Sequence, residues 1–226
     1  ALSLTLALNL PSLAQYSYTS IANSTQTAPG SAALFSGIAA PVVNGDGDVV
    51  FVAGPTSARA YYSYPIDGSG ARLLGQTDSV PAGAGGGSFN SLNTLPSLSD
   101  SDTLTFASTT TGGAGGGLFQ RVSTGVVTSV IQRGQSAAGG TGTYNASAQY
   151  RASNNGSVVF QSTITGGSAS QGLFRRLSGD SVVRLADTST AAPITGGGRF
   201  LAFAPGGMND SGESAFFGAV TDNLNI

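Results

Sequence analysis

Apolar positions along this chain fall in short runs, and turn residues fall between them. Asp48 to Ala53 reads DVVFVA, Arg59 to Tyr64 reads RAYYSY, and Ala71 to Gly75 reads ARLLG. Runs of this length, rich in β-branched and aromatic residues and bounded by Gly, Pro, Asn, Asp and Ser, predict β-strands. The opening shows the most regular alternation: Leu2, Leu4, Leu6, Leu8 and Leu10 are separated by small or polar residues. That pattern suits a strand with one apolar face. It also suits the remnant of a signal peptide, because Pro11 and the small residues Ser12 and Ala14 follow it.

The runs repeat. NGDGDVVF, SDSDTLTF, SNNGSVVF and NDSGESAF end at Phe51, Phe106, Phe160 and Phe216, at a nearly constant spacing. An aromatic precedes each at the same offset, give or take one position: Phe35, Phe89, Tyr144 and Phe200. Tyr62, Phe119 and Phe174 follow in register, and Leu74, Ile131 and Ala186 lie one constant step beyond these. Each repeat of about 54 residues therefore predicts four strands, a to d. In the first copy these are a around Phe35, b at 48–53, c at 59–64 and d at 71–75. The Asn, Asp and Gly residues before each b strand are hairpin-turn chemistry. A four-stranded unit of this size cannot bury both faces alone, but stacked units can, and the repeated Phe51, Phe106, Phe160 and Phe216 are expected to be buried. The expected fold is all-β, with four-stranded antiparallel repeats arranged as β-propeller blades. The blades are expected at about 33–75, 89–132 and 143–186, with a partial one at 198–219.

The repeated motif resembles the tandem NxxGxxAF repeat of secreted bacterial proteins. Asn209, Gly212, Ala215 and Phe216 match every fixed position, and Asn44, Gly47 and Phe51 match with Val50 in place of Ala. The third copy keeps Gly156 and Phe160, and the second keeps only Phe106. The resemblance covers residues 33–219 and implies a secreted, repeat-built surface protein without a defined activity. Residues 15–35 resemble a d strand and its linker, so residues 1–14 are either a leader remnant or an additional strand. In the second case the chain makes a four-bladed closed propeller, or a subunit that donates strands to a neighbour and builds filaments.

Composition removes several chemistries. The 226 residues include no His, Cys or Trp, and all nine basic residues are Arg. The usual zinc, haem and iron–sulfur ligands are thus missing, as are His- or Cys-based catalysis and lysine Schiff bases. No cofactor is expected. A net charge of −2 gives no reason to expect a nucleic-acid partner. The opening apolar stretch is too short for a transmembrane segment.

Asn44, Asp46 and Asp48 have alternating oxygen ligands, a weak calcium candidate, but Val49 and Pro55 stand where an EF-hand loop needs Gly and Glu. Asp100 with Asp102, and Asp210 with Glu213, are read the same way. No carboxylate pair stands out for a glycosidase, and the Gly-rich runs GAGGGS and TGGAGGG lack the Lys of a phosphate loop. Tyr61, Tyr62 and Tyr64 are read as packing between blades rather than as a sugar platform. Arg175 and Arg176 are read as a solvated strand edge. The expected protein is extracellular or at the cell surface and is not an enzyme. It binds a glycan or a protein through loops on one face, or alternatively self-assembles by strand donation.

Overall fold

A computed structural model describes residues 20–55, 57–193 and 197–221, with side chains for all of these except residues 146–148. Residues 1–19, on which the leader and extra-strand readings fall, lie outside the described residues.

The strands form four antiparallel sheets in chain order. The first holds β1 (Val42–Val43), β2 (Val49–Ala53), β3 (Ala60–Tyr64) and β4 (Ala71–Gly75). The second holds β5 (Ser88–Leu92), β6 (Ser97–Leu98), β7 (Leu104–Thr111), β8 (Gly117–Arg121) and β9 (Val127–Gln132), with β5 and β6 both paired to β7. The third holds β10 (Thr143–Ala152), β11 (Val158–Thr165), β12 (Gln171–Arg176) and β13 (Val182–Asp187). β14 (Phe200–Met208) and β15 (Ser214–Val220) form the fourth. The predicted b, c and d strands are found close to their expected bounds.

The a strands depart from the prediction. Phe35 lies outside any strand, and the first a strand reduces to β1. Pro41 has no N–H to give to a ladder, yet Ala39 still donates to the Val52 carbonyl at 2.9 Å. The second a strand is broken into β5 and β6 around Asn93–Pro96. Two tyrosines from the flanking sheets satisfy that break. Tyr61 donates its hydroxyl to the Asn93 carbonyl at 2.7 Å, and Tyr150 donates to the Leu95 carbonyl at 2.9 Å.

The a–b turns share one geometry. The amide of the fourth motif residue donates to the carbonyl of the first in all four copies: Gly47 to Asn44, Asp102 to Ser99, Gly156 to Ser153 and Gly212 to Asn209. That fourth residue has φ of 89°, 56°, 82° and 83° in turn. A turn followed by one left-handed residue makes a hairpin with a bulge, which is why Gly is favoured there. Asp102 is the exception.

Alternation along each strand sends neighbouring side chains to opposite faces. Phe51 and Tyr62 pack with Phe35 on one face of the first sheet, while Val50, Tyr61 and Leu74 face the second sheet. In the second sheet Phe106, Phe119 and Phe89 face back to the first, and Leu118 and Ile131 face the third. In the third, Phe160, Phe174 and Tyr144 face back, while Val159, Leu173 and Ala186 face the fourth. Each interface thus sets the aromatic side of one sheet against the opposite face of the sheet before it.

One expectation needs correction. Phe51, Phe106 and Phe160 are buried as the repeat predicts, but Phe216 is 38% exposed. The first three stack on the c-strand aromatic opposite, Tyr62, Phe119 and Phe174, with centroids 6.0, 5.7 and 5.5 Å apart. Among the described residues β15 pairs only with β14, so nothing takes that place beside Phe216. Its ring meets Phe200 and Phe203 instead.

Candidate functional site

Because each sheet is a meander, its a–b and c–d turns share one end, and its b–c loops and d-to-a connections share the other. The turns line up from sheet to sheet. Asn44 Nδ2 donates to the Ser99 carbonyl at 3.3 Å, and the Gly45 amide donates to Asp100 Oδ1 at 2.6 Å. Across the third interface Asn155 Nδ2 donates to the Asp210 carbonyl at 2.7 Å. A buried c-strand side chain adds a second tie. Gln120 Nε2 donates to the Gly156 carbonyl at 2.7 Å and to Thr105 Oγ1 at 3.0 Å. At the equivalent position one repeat later, Arg175 Nη1 donates to the Gly212 carbonyl at 2.6 Å.

This corrects the reading of Arg175 and Arg176 as a solvated edge. Both are half-buried, and Arg176 donates to Gln120 Oε1 and to the Ser129 carbonyl of the second sheet. A charged doublet at a strand end looks exposed in sequence. Only its register against Gln120 signals a cross-sheet tie.

The turn end is acidic. Asp46, Asp48, Asp100, Asp102, Asp210 and Glu213 lie in the a–b turns, and Asp67 and Asp180 in the c–d turns. Asp46, Asp48 and Asn44 do come together there with Asp102, but the Asn44 amide is occupied. Its Oδ1 accepts from the Asp48 amide at 2.8 Å, and its Nδ2 faces the Ser99 carbonyl and Asp102. Among the described residues no group of three or more acidic side chains is arranged to hold a metal ion. The remaining motif residues Gly47, Gly156, Asn209 and Gly212 shape turns, and Phe51, Phe106 and Phe160 build the core. Tyr61 and Tyr62 are buried and closed to a sugar ring, while Tyr64 stacks on Phe51 at 5.9 Å.

Asp102 is strained twice over. Its backbone is left-handed, and its carboxyl is raised above the ordinary value by burial and by Asp48, which shares a hydrogen bond with it. A carboxyl that holds its proton more tightly folded than unfolded makes the fold less stable as pH rises from the unfolded value through the raised one. Asp102→Gly removes both effects. Urea unfolding is expected to show a gain of about 1 kcal/mol at pH 7, mostly from the backbone. The loss of stability just above pH 4 should also shrink relative to the parent. An unchanged or lower midpoint would count against this account of the turn.

The loop end has the opposite character. Its carboxylates Asp78 and Asp187 are each paired with an arginine, Arg72 at 2.7 Å and Arg184. Arg59, Arg133 and Arg199 lie there without a carboxylate partner among the described residues. Two grooves open between sheets at this end. One, of about 280 Å³, lies between the second and third sheets and is lined by Ser91, Asn93, Ser108, Thr109, Arg133 and Asn145 over a floor of Gly115–Gly117. The next, of about 390 Å³, lies between the third and fourth and carries Ser168, Ser170, Thr188, Arg199 and Thr221. Gly115–Gly117 are the last three residues of the TGGAGGG run. No helix among the described residues is long and apolar enough to cross a membrane.

No curated protein matches the sequence. Among solved structures, TolB from Acinetobacter baumannii is similar at 20% identity with a TM-score of 0.45, over 84% of this chain and 42% of that one. The present chain thus spans less than half the length of that protein. A family model matches residues 10–171, which include the first two sheets and the first two strands of the third. The chain therefore belongs to the family of unknown function DUF7453.

Proposed function

We propose that this chain is a non-enzymatic scaffold of the cell surface or extracellular space. Its successive sheets act as β-propeller blades, and it binds a glycan or a protein through the loops at one end. The observation that carries this reading is the contrast between the two ends: an acidic turn end tied by sheet-to-sheet hydrogen bonds, and a loop end with two open grooves, each holding hydroxyl groups and an arginine that has no carboxylate partner among the described residues. The likeness of Asn209–Phe216 to the repeat of secreted bacterial proteins supports the location.

The test is retention of the purified chain on a panel of immobilised polysaccharides and on proteins extracted from the surface of its native source. Retention by at least one, lost on substituting loop-end arginines, is expected. Failure on every surface would overturn the reading.

A second reading rests on β15. Its single neighbour among the described residues leaves an edge beside Phe217, which is 78% exposed. Such an edge accepts a strand from a second copy. Sedimentation separates the two readings, since a strand-sharing subunit grows into polymers that survive dilution.

A further inference from the structure

The residue two positions beyond each d-strand landmark differs between repeats, and the groove differs with it. In the first repeat this residue is Gln76, whose Nε2 donates to the Asn90 carbonyl of β5 at 2.6 Å and whose Oε1 accepts from the Arg59 amide at 2.6 Å. The side chain bridges the first and second sheets. In the second repeat the same position holds Arg133, and Asn145 stands where Asn90 stood. Arg133 is exposed, and its guanidinium has no partner among the described residues. The groove of about 280 Å³ opens beside it.

We infer that this groove binds a polysaccharide bearing carboxylates, with Arg133 taking the carboxylate of a uronate unit. The inference rests on the scaffold reading above and gives it a site and a ligand class. Among the described residues Arg133 is the only charged one in the lining, and none there is a carboxylate that could neutralise it. A guanidinium in this state offers a two-pronged donor matched to a carboxylate. The remaining polar groups are amides and hydroxyls, from Asn93, Asn145, Ser91, Ser108 and Thr109. These suit the hydroxyls of a sugar ring. The backbone gives little to a peptide, since the Gly116 carbonyl already accepts from the Arg133 amide at 2.9 Å and the Asn93 amide already donates to Ala107 at 3.1 Å.

The experiment is fluorescence polarisation with labelled oligogalacturonate, its fully methyl-esterified form, and labelled poly-aspartate. The parent protein should bind the free acid and not the ester, more weakly at high salt. Arg133→Gln should lose about tenfold or more in affinity, and Arg133→Lys should keep part of it. Thermal unfolding should be unchanged in both variants, because the side chain supports nothing in the fold. Equal binding of the ester, or an unchanged Arg133→Gln affinity, would overturn the inference and leave the scaffold reading intact. Equal binding of poly-aspartate would overturn the saccharide class. No binding by the parent to any saccharide would overturn the inference outright, and the scaffold reading would then stand or fall on the surface-protein arm of its own test.

Discussion

Phe160→Ala is expected to destabilise the protein by roughly 3–5 kcal/mol in urea unfolding, the cost of emptying a large, sealed aromatic site. Phe160 is fully buried, lies 5.5 Å from the stacked ring of Phe174 and packs on Tyr144. Its partners sit on three strands of one sheet and on the face of the sheet before it, so the void has little freedom to collapse. The matched control is Phe216→Ala. The same motif position is 38% exposed there, and the expected loss is about 1 kcal/mol or less. If the two variants lost equal stability, the repeat register would not describe the packing. A loss below about 1 kcal/mol for Phe160→Ala would show that the triads do not hold the sheets together.

Gln120→Leu should cost about 2–4 kcal/mol, although it replaces a polar side chain by an apolar one of similar size in a buried place. The amide is 5% exposed and ties three groups: the Gly156 carbonyl of the next turn, Thr105 Oγ1, and the Arg176 guanidinium. Leucine leaves all three without that partner, and the half-buried guanidinium that loses its side-chain acceptor is the most expensive of them. Arg176 keeps only the Ser129 carbonyl at 3.2 Å. The double variant Gln120→Leu/Arg176→Leu should recover part of the loss, because it removes the stranded charge. No recovery would show that the cost does not lie in the Arg176 contact.

The sequence made the b, c and d strands of the first three repeats readable because both faces of the second and third sheets are covered and the first packs on Phe35. Apolar landmarks such as Phe106, Phe119 and Ile131 cannot drift when each meets a neighbour. The a strands were harder to read. The break before Pro96 is tolerated because hydroxyls from other repeats, those of Tyr61 and Tyr150, take the place of ladder partners. Such long-range bonds leave no local trace. Both hydroxyls are protonated donors at neutral pH, and burial raises them further above their ordinary value. The loop-end groove was hidden for a similar reason. Arg133 follows β9 and Asn145 lies in β10, on different sheets, and only the docking of the third sheet on the second brings them to one site.

The likeness of successive interfaces has a consequence for how such chains change length. Tyr61 and Leu74, Leu118 and Ile131, and Leu173 and Ala186 present the same face in register, and each meets the aromatic side of the next sheet. A duplicated or deleted repeat would therefore find an apolar face to dock on at either side, and only the ties peculiar to one interface, such as those of Tyr61, Tyr150 and Gln120, would have to be rebuilt. The position occupied by Gln76, Arg133 and Thr188 is left free to diverge in each new copy.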